Sequence, residues 1–180
     1  KIFLNTLLFF MDVLMLSLAF VLGYAARIYL PLLPRPDAQP PLVNYLPTMF
    51  LHVTIIISLF YFSQLYHQRR VFSRFDQARN IVVGVTIGAI LASATQELIF
   101  KNTILEVDYP RGMFFYAWAF SFVMVIMGRE AHRILTWSAR RRGVTRDNLL
   151  IVGAGRVARD ITQRIQRHPE LGYNIVGVVT

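Results

Sequence analysis

A glycine-rich hexapeptide near the end of the chain is the segment best suited to chemistry. Residues 153–158 read Gly-Ala-Gly-Arg-Val-Ala, a G-x-G-x-x-A pattern. In this pattern the first glycine permits a tight turn, the second lets a phosphate approach the backbone, and a small third residue allows close helix packing. The candidate ligand-binding residues are therefore Gly153, Gly155, Arg156 and Ala158. Phosphate contact and simple solvation are equally good interpretations of Arg156.

The segments around the glycines are those that a phosphate-binding turn requires. An apolar run of strand length, residues 148–152, comes before them, and isoleucines at helical spacing, Ile161 and Ile165, come after. A second apolar run, residues 175–179, follows a break at 168–169. This order predicts one βαβ unit with a helix N-terminus directed at a bound anion. An empty, architectural turn stays open as an alternative, because a ribose-binding acidic residue would fall near or beyond Thr180.

No acid–base pair accompanies the turn. Asp160 and Glu170 lie on either side of the proline break, and His168 precedes that proline, so each is more simply a solvated surface residue. The lack of cysteine excludes disulfide scaffolds, zinc fingers, iron–sulfur sites and thiol nucleophiles from these 180 residues. We therefore assign no catalytic and no metal-ligating residue from the sequence.

The composition is that of a membrane protein with a small polar appendage. Hydrophobic residues make up 55% of the chain and charged residues only 16%, whereas a typical soluble domain has about 25% charged residues. A helix of about 20 residues crosses a bilayer, and four apolar stretches are long enough to do so. They are residues 3–26, 46–66, 81–100 and 112–128, and the last is expected to continue as a polar helix towards Arg142.

These observations predict an α-helical membrane protein followed by the start of an α/β Rossmann-like domain. The expected four-helix transmembrane bundle with its exit helix covers residues 1–142, and the first βαβ unit covers residues 143–180. The proline-rich segment 31–44 is expected to be a loop outside the hydrocarbon layer. Asp108 and Pro110 are expected to cap and open the fourth helix. Since the chain begins with Lys1 and stops directly after an apolar run, we also expect a segment of a longer protein.

The net charge of +9 is distributed along the chain as in a membrane protein, which argues against a nucleic-acid partner. Residues 67–80 hold four arginines and residues 129–146 hold six, ten in all. The opposite connections hold four basic residues: Arg27, Arg35, Lys101 and Arg111. The positive-inside rule therefore predicts that both termini are cytoplasmic.

Two features inside the predicted spans admit more than one interpretation. Gly84, Gly88 and Ala92 recur at intervals of four, which favours close helix packing within the bundle over a dimer seam. Asp12 interrupts the first span. A structural polar contact, for which an arginine of the second connection (residues 67–80) is a candidate partner, is favoured over a role in transport.

The order of these parts resembles the N-terminal half of the bacterial polyprenyl-phosphate sugar-phosphate transferases, or large monotopic phosphoglycosyl transferases. The similarity lies in the four spans, the arginine-rich exit at 140–143 and the run NLLIVGAGRVARDITQRIQRHPELGYNIVGVV. The best-matching short pieces are Asp108–Gly112, Gly128 with Arg129, residues 168–173, and the pair Arg74 and Asp76.

The resemblance implies an enzyme of the bacterial inner membrane that starts exopolysaccharide, capsule or O-antigen synthesis. Such enzymes transfer a sugar-1-phosphate from a UDP-sugar to undecaprenyl phosphate, using Mg²⁺ and an Asp–Glu pair of a C-terminal catalytic domain. None of that domain matches these 180 residues, so no residue here is implied to be catalytic. The implied role is membrane anchoring and regulation, with a nucleotide or nucleotide-sugar ligand and a homodimer expected.

Two alternatives share the same layout. Membrane-bound nucleotide-sugar dehydratases and epimerases resemble the chain through the same point, but residues 168–173 and Asp108–Gly112 favour the transferases. A non-catalytic membrane scaffold that has kept the bundle is the other alternative. The sequence beyond Thr180 would separate them: a re-entrant segment with an Asp–Glu motif indicates a transferase, and a second glycine turn with Tyr-x-x-x-Lys a dehydratase. An early stop indicates a scaffold.

Overall fold

The computed structural model describes residues 2–30, 40–66, 74–103, 111–141, 147–153, 155–167 and 173–179. By compactness the chain divides within its fourth long helix into two units, Lys1–Arg129 and Glu130–Thr180.

Four long helices dominate the described residues: α1 (Ile2–Tyr29), α2 (Leu46–Phe62), α3 (Arg74–Ile99) and α4 (Arg111–Arg141). Four stretches are long and apolar enough to cross a membrane: three lie within α1, α3 and α4, and the second, Leu42–Phe62, consists of α2 and the four residues before it. They agree with the four expected spans and indicate a membrane protein. The helix α4 runs without interruption past Gly128, as the sequence predicts. The expected cap at Asp108 and Pro110 lies outside the described residues.

The helix α2 starts at Leu46 as predicted, but the residues before it and its C-terminal end differ from the sequence prediction. A 3₁₀ helix, Leu42–Tyr45, precedes α2, so the end of the proline-rich segment is helical where we expect a loop. Residues 31–39 lie outside the described part of the chain. At its other end α2 stops at Phe62, because Gln64 takes a left-handed conformation with φ +54°. The resulting turn brings Leu65 and Tyr66 back into the interior, where both are buried.

Glycines of α3 lie directly against side chains of α2. A Cβ atom added to Gly84 would lie 2.9 Å from the ring of Phe60, and one added to Gly88 would lie 2.6 Å from Cγ1 of Ile56. Real Cβ contacts are almost never this short, so only glycine permits the approach. The small residues of the third span therefore pack within the bundle, which confirms the favoured interpretation.

The second unit contains the predicted βαβ arrangement. Strand β1 (Asp147–Val152) pairs in parallel with β2 (Tyr173–Val179), and helix α5 (Arg156–Arg167) connects them. The pairing aligns Asp147 with Tyr173 and Val152 with Val179, with a register shift between Leu149 and Leu150. The predicted break at 168–169 falls among residues that are not described. The parallel pairing places the glycine turn at the carboxyl ends of the strands, where ligands bind in open α/β sheets.

Candidate functional site

The glycine turn begins at the last residue of β1 and is attached to the end of β2. Gly153 follows Val152 with φ +104°, a conformation that side chains rarely adopt, so the first glycine of the pattern is required by the backbone. Its N–H donates a 2.7 Å hydrogen bond to the carbonyl of Val179. This bond holds the turn at the carboxyl edge of the two-stranded sheet.

The second glycine of the pattern faces open space. A Cβ atom on Gly155 would meet no heavy atom within 4 Å, and no φ in the left-handed range demands glycine there. Packing within the described residues therefore gives no reason for a glycine at this position. Close approach of a ligand to the backbone is a reason that remains, and it is the one the sequence pattern predicts.

The N-terminus of α5 offers further groups to an anion. The carbonyl of Gly155 accepts a 3.3 Å hydrogen bond from the N–H of Arg159, so Gly155 is the residue from which the helix starts. The N–H groups of the first turn have no intrahelical acceptor, and they carry the positive end of the helix dipole. The first turn holds no acidic residue, and the side chains of Arg156 and Arg159 are both exposed beside it. These features favour a phosphate at this position.

The remaining member of the predicted site, Ala158, is half-buried in the first turns of α5. Its carbonyl accepts a 2.8 Å hydrogen bond from the hydroxyl of Thr162. The structure thus brings Gly153, Gly155, Arg156 and Ala158 together over the strand end and the first helical turn. Within the described residues, no group of three or more His, Asp or Glu side chains is placed to hold a metal ion. The turn offers groups for binding an anion.

A buried ion pair in the first unit joins α1 to α4. Nη2 of Arg129 donates a 2.7 Å hydrogen bond to Oδ2 of Asp12, and the two side chains are only 3% and 1% exposed. Asp12 makes the expected structural contact, but its partner belongs to α4, so the sequence hypothesis of an arginine from the second connection was wrong. In a four-span bundle, the start of α1 and the end of α4 lie on the same side of the membrane. That topology is the signal that could have identified Arg129.

Two aromatic rings complete the surroundings of the guanidinium. The Cζ atom of Arg129 lies 5.3 Å from the ring centre of Phe60 and 5.7 Å from that of Tyr66, both within the range of cation–π attraction. Burial raises the pKa of the Tyr66 phenol, and the negative charge of Asp12 raises it further. Tyr66 therefore stays protonated and neutral at physiological pH.

Some polar atoms of this cluster remain without a hydrogen-bond partner among the described residues. They are Oδ1 of Asp12, Nε and Nη1 of Arg129, and the hydroxyl of Tyr66. Removing either charge would leave the other buried and uncompensated, which is strongly unfavourable. The ion pair is therefore a structural link, and its location explains why a carboxylate interrupts the first span.

A histidine and a serine also meet inside the bundle. Nε2 of His52 on α2 lies 3.1 Å from the hydroxyl oxygen of Ser121 on α4, and both side chains are buried. A substrate has no access to a pair enclosed between membrane-spanning helices, so this is an interhelical contact. Trp118 of α4 makes a similar contact by donating a 3.0 Å hydrogen bond to the hydroxyl of Thr86 on α3.

Comparison with known proteins identifies the larger part of the chain. A family model described as a CoA-binding domain matches residues 62–180, from the end of α2 through the βαβ unit. It represents a Rossmann-like, nucleotide-sugar-associated domain found in polyprenyl-phosphate sugar transferases and related enzymes. No curated protein matches the chain.

Proposed function

The chain belongs to this family of CoA-binding domains, and on that premise we propose that it is the membrane-anchoring and regulatory part of a sugar-phosphate transferase. The parent enzyme would transfer a sugar-1-phosphate from a UDP-sugar to undecaprenyl phosphate. The observation that carries the proposal is the extent of the family match. It runs from the end of α2 through two membrane-spanning helices and continues into the βαβ unit, so membrane helices and glycine turn belong to one family domain.

In this proposal the chain itself performs no catalytic step. The Asp–Glu pair and Mg²⁺ of the transferases are assigned by the resemblance to a separate catalytic domain. The part of this chain that the structure describes has no carboxylate and histidine cluster that fits a metal ion. The bundle holds the enzyme at the membrane, where its lipid acceptor resides, and the βαβ unit binds a regulatory ligand.

The ligand we propose is a nucleotide or nucleotide-sugar, with its phosphates at the glycine turn. The open space in front of Gly155 admits a phosphate to the backbone, and the first-turn N–H groups of α5 and the exposed Arg156 supply donors and positive charge. A UDP-sugar is favoured because the family domain is associated with nucleotide-sugars. Coenzyme A, which the family description names, also carries a diphosphate and is the competing ligand.

We propose that the bundle lies in the bacterial inner membrane with both termini in the cytoplasm. The support is the distribution of basic residues, four in 67–80 and six in 129–146 against four in the opposite connections. This orientation places the βαβ unit in the compartment that contains nucleotide-sugars.

Calorimetric titration of the chain in detergent with a UDP-sugar, UDP, NAD(H) and coenzyme A tests the proposed ligand. Gly155→Val places a branched side chain where the phosphate must approach, in space that the fold leaves empty. Loss of charge-assisted hydrogen bonds worth about 1.5–3 kcal/mol lowers affinity roughly 10- to 150-fold. The matched control is Gly177→Ala in β2, whose added Cβ would make an ordinary 3.5 Å contact with Leu150.

Each outcome of the titration points to one interpretation. UDP-sugar binding that Gly155→Val weakens by this factor or more and Gly177→Ala preserves supports the proposal. Binding of NAD(H) alone would favour a dehydratase or epimerase, and binding of coenzyme A alone would replace the proposed ligand. If the parent chain binds none of the four, or if the Gly155→Val variant binds as well as the parent, the turn is architectural.

A further inference from the structure

A groove of about 270 Å³ opens on the surface of the bundle between α2 and α3. Its lining residues are Leu59, Ser63, Asn80, Val83, Gly84 and Ile87. The floor is low at Gly84 because this residue has no side chain and packs against the ring of Phe60. Val83 and Ile87 form one wall and are exposed along it. The groove is therefore accessible from the outer surface of the bundle.

The groove is apolar at one end and polar at the other. Leu59, Val83 and Ile87 are hydrocarbon, whereas Ser63 and Asn80 carry a hydroxyl and an amide. The hydroxyl of Ser63 and the amide of Asn80 make no hydrogen bond to any described residue. Asn80 and Ile87 are seven residues apart on one helix, a rise of about 10 Å. The groove thus has polar side chains at one end and an apolar wall about 10 Å long beside them.

Aromatic side chains place the polar end of the groove at a membrane–water interface. Tyr61 and Phe62 stand exposed at the end of α2, and Phe75 stands exposed in the first turn of α3. Exposed aromatic rings gather where membrane-spanning helices meet the headgroup layer. Ser63 and Asn80 therefore lie at headgroup depth, and the wall formed by Val83 and Ile87 extends into the hydrocarbon.

The sequence around the polar end is strongly basic. Arg79, the residue before Asn80, is exposed and forms no ion pair with a described residue. The nearby sequence adds three arginines, 69, 70 and 74, against one acidic residue, Asp76. Juxtamembrane basic residues attract anionic lipid headgroups. Charge and shape therefore select a lipid with a negative head.

We propose that this groove binds an anionic phospholipid. One acyl chain lies along Val83 and Ile87, and the headgroup phosphate is held by Arg79 with the side chains of Ser63 and Asn80. The proposal rests on membrane insertion of the bundle, and it does not depend on the ligand of the glycine turn. A helix from a second copy of the chain is the competing occupant, but the polar groups at one end and the short apolar wall fit it poorly.

Photo-crosslinking in lipid nanodiscs tests the proposal. The chain is reconstituted with phosphatidylglycerol or phosphatidylcholine carrying a photoactivatable acyl chain at equal mole fraction, and adducts are mapped by mass spectrometry. Phosphatidylglycerol adducts should concentrate on Leu59, Val83 and Ile87. They should exceed phosphatidylcholine adducts about fivefold, the factor that corresponds to about 1 kcal/mol for one Lys or Arg near an anionic surface.

Two pairs of variants test the binding of the headgroup and the binding of the acyl chain separately. Arg79→Gln should remove the preference for phosphatidylglycerol, whereas Arg164→Gln, at an exposed position of α5, should not. Ile87→Trp fills the apolar part of the groove and should displace the adducts. Ile90→Trp makes the same change at an exposed position of α3 outside the groove and should leave the adducts in place.

Three results would overturn the proposal. Adducts spread evenly over the groove and over Ile90 and Leu91 would mean an ordinary lipid-facing surface. Equal labelling by the two lipids would remove the anionic selectivity, and crosslinks between two chains at Ile87 would assign the groove to a second copy. A bundle that fails to insert would carry no lipid adducts on any helix, which distinguishes that failure from an unselective groove.

Discussion

Replacing Asp12 with leucine leaves the guanidinium of Arg129 buried without a counter-ion, and we expect this change to destabilise the bundle severely. The two side chains are 1% and 3% exposed and meet at 2.7 Å, so water cannot replace the lost carboxylate without local opening. Removing one partner of a buried ion pair costs about 3–5 kcal/mol.

The rings around the guanidinium place the expected loss at the lower end of this range. Phe60 and Tyr66 lie 5.3 and 5.7 Å from the guanidinium of Arg129, and replacing Asp12 removes neither ring. Each cation–π contact contributes about 0.5–2 kcal/mol, the larger values applying where the cation is desolvated. We therefore expect Asp12→Leu to reduce the free energy of unfolding by about 3 kcal/mol, since part of the attraction survives.

A double-mutant cycle measures this coupling. Unfolding of the chain, Asp12→Leu, Arg129→Met and the double variant is followed by circular dichroism during sodium dodecyl sulfate titration in mixed micelles. The double variant has lost both charges of this pair, so it should be more stable than either single variant, as when buried ion pairs are replaced by apolar groups. The control is Arg133→Met, whose pair with Glu130 is about 40% exposed and should contribute less than about 1 kcal/mol.

Additive losses in the cycle would refute this reasoning. If the double variant is destabilised by the sum of the single losses, the two residues act independently and the 2.7 Å contact carries no coupling energy. A loss for Asp12→Leu no larger than that for Arg133→Met would mean that the pair is hydrated.

Three further outcomes are expected. Cysteines placed at Ala38 and at Arg142, in a chain without native cysteine, should label from opposite faces of sealed vesicles; labelling from one face contradicts the proposed topology. Gly88→Leu should lower the free energy of unfolding in detergent by about 1–3 kcal/mol, since even a Cβ atom would lie 2.6 Å from Cγ1 of Ile56. Unchanged stability would contradict the close packing of α3 against α2. The pKa of the Tyr66 phenol is higher in the folded protein than in the unfolded chain, where it is about 10. The contribution of Tyr66 to the free energy of unfolding is therefore complete below about pH 10 and is lost as the pH rises towards the folded-state pKa. Alkaline titration of Tyr66→Phe should lack that decline, and an unchanged decline would assign it to other groups.

The spans and the βαβ unit were predictable because each rests on a local pattern. Apolar length alone identifies the four helices, and α4 continues past Gly128 because no proline or turn residue interrupts the pattern up to Arg141. The strand–glycine–helix–strand order likewise depends on neighbouring residues. The open space in front of Gly155 is compatible with the predicted phosphate site. The identity of the ligand depends on residues distant from the glycine motif, so the motif alone does not predict it.

The features that escaped prediction depend on tertiary contacts or on single backbone angles. Leu65 and Tyr66 are apolar and follow only two polar residues, so hydropathy extends α2 beyond Phe62 and does not reveal the left-handed backbone angle of Gln64. Asp12 and Arg129 are far apart in the chain, and only helix packing decides which arginine reaches the carboxylate. The 3₁₀ helix before α2 escaped because a high proline content favours a loop.

The left-handed conformation of Gln64 leads us to expect correlated substitutions among relatives at position 64 and at the two residues of the ion pair, Asp12 and Arg129. The conformation of Gln64 ends α2 and returns Tyr66 to the interior beside Arg129, and a β-branched residue at position 64 would be strained. Over evolutionary time, substitutions at 64 should be confined to residues that tolerate this conformation, glycine and asparagine first. Lineages that lose the turn should also lose the charges at Asp12 and Arg129, so the positions should be inherited together as one unit.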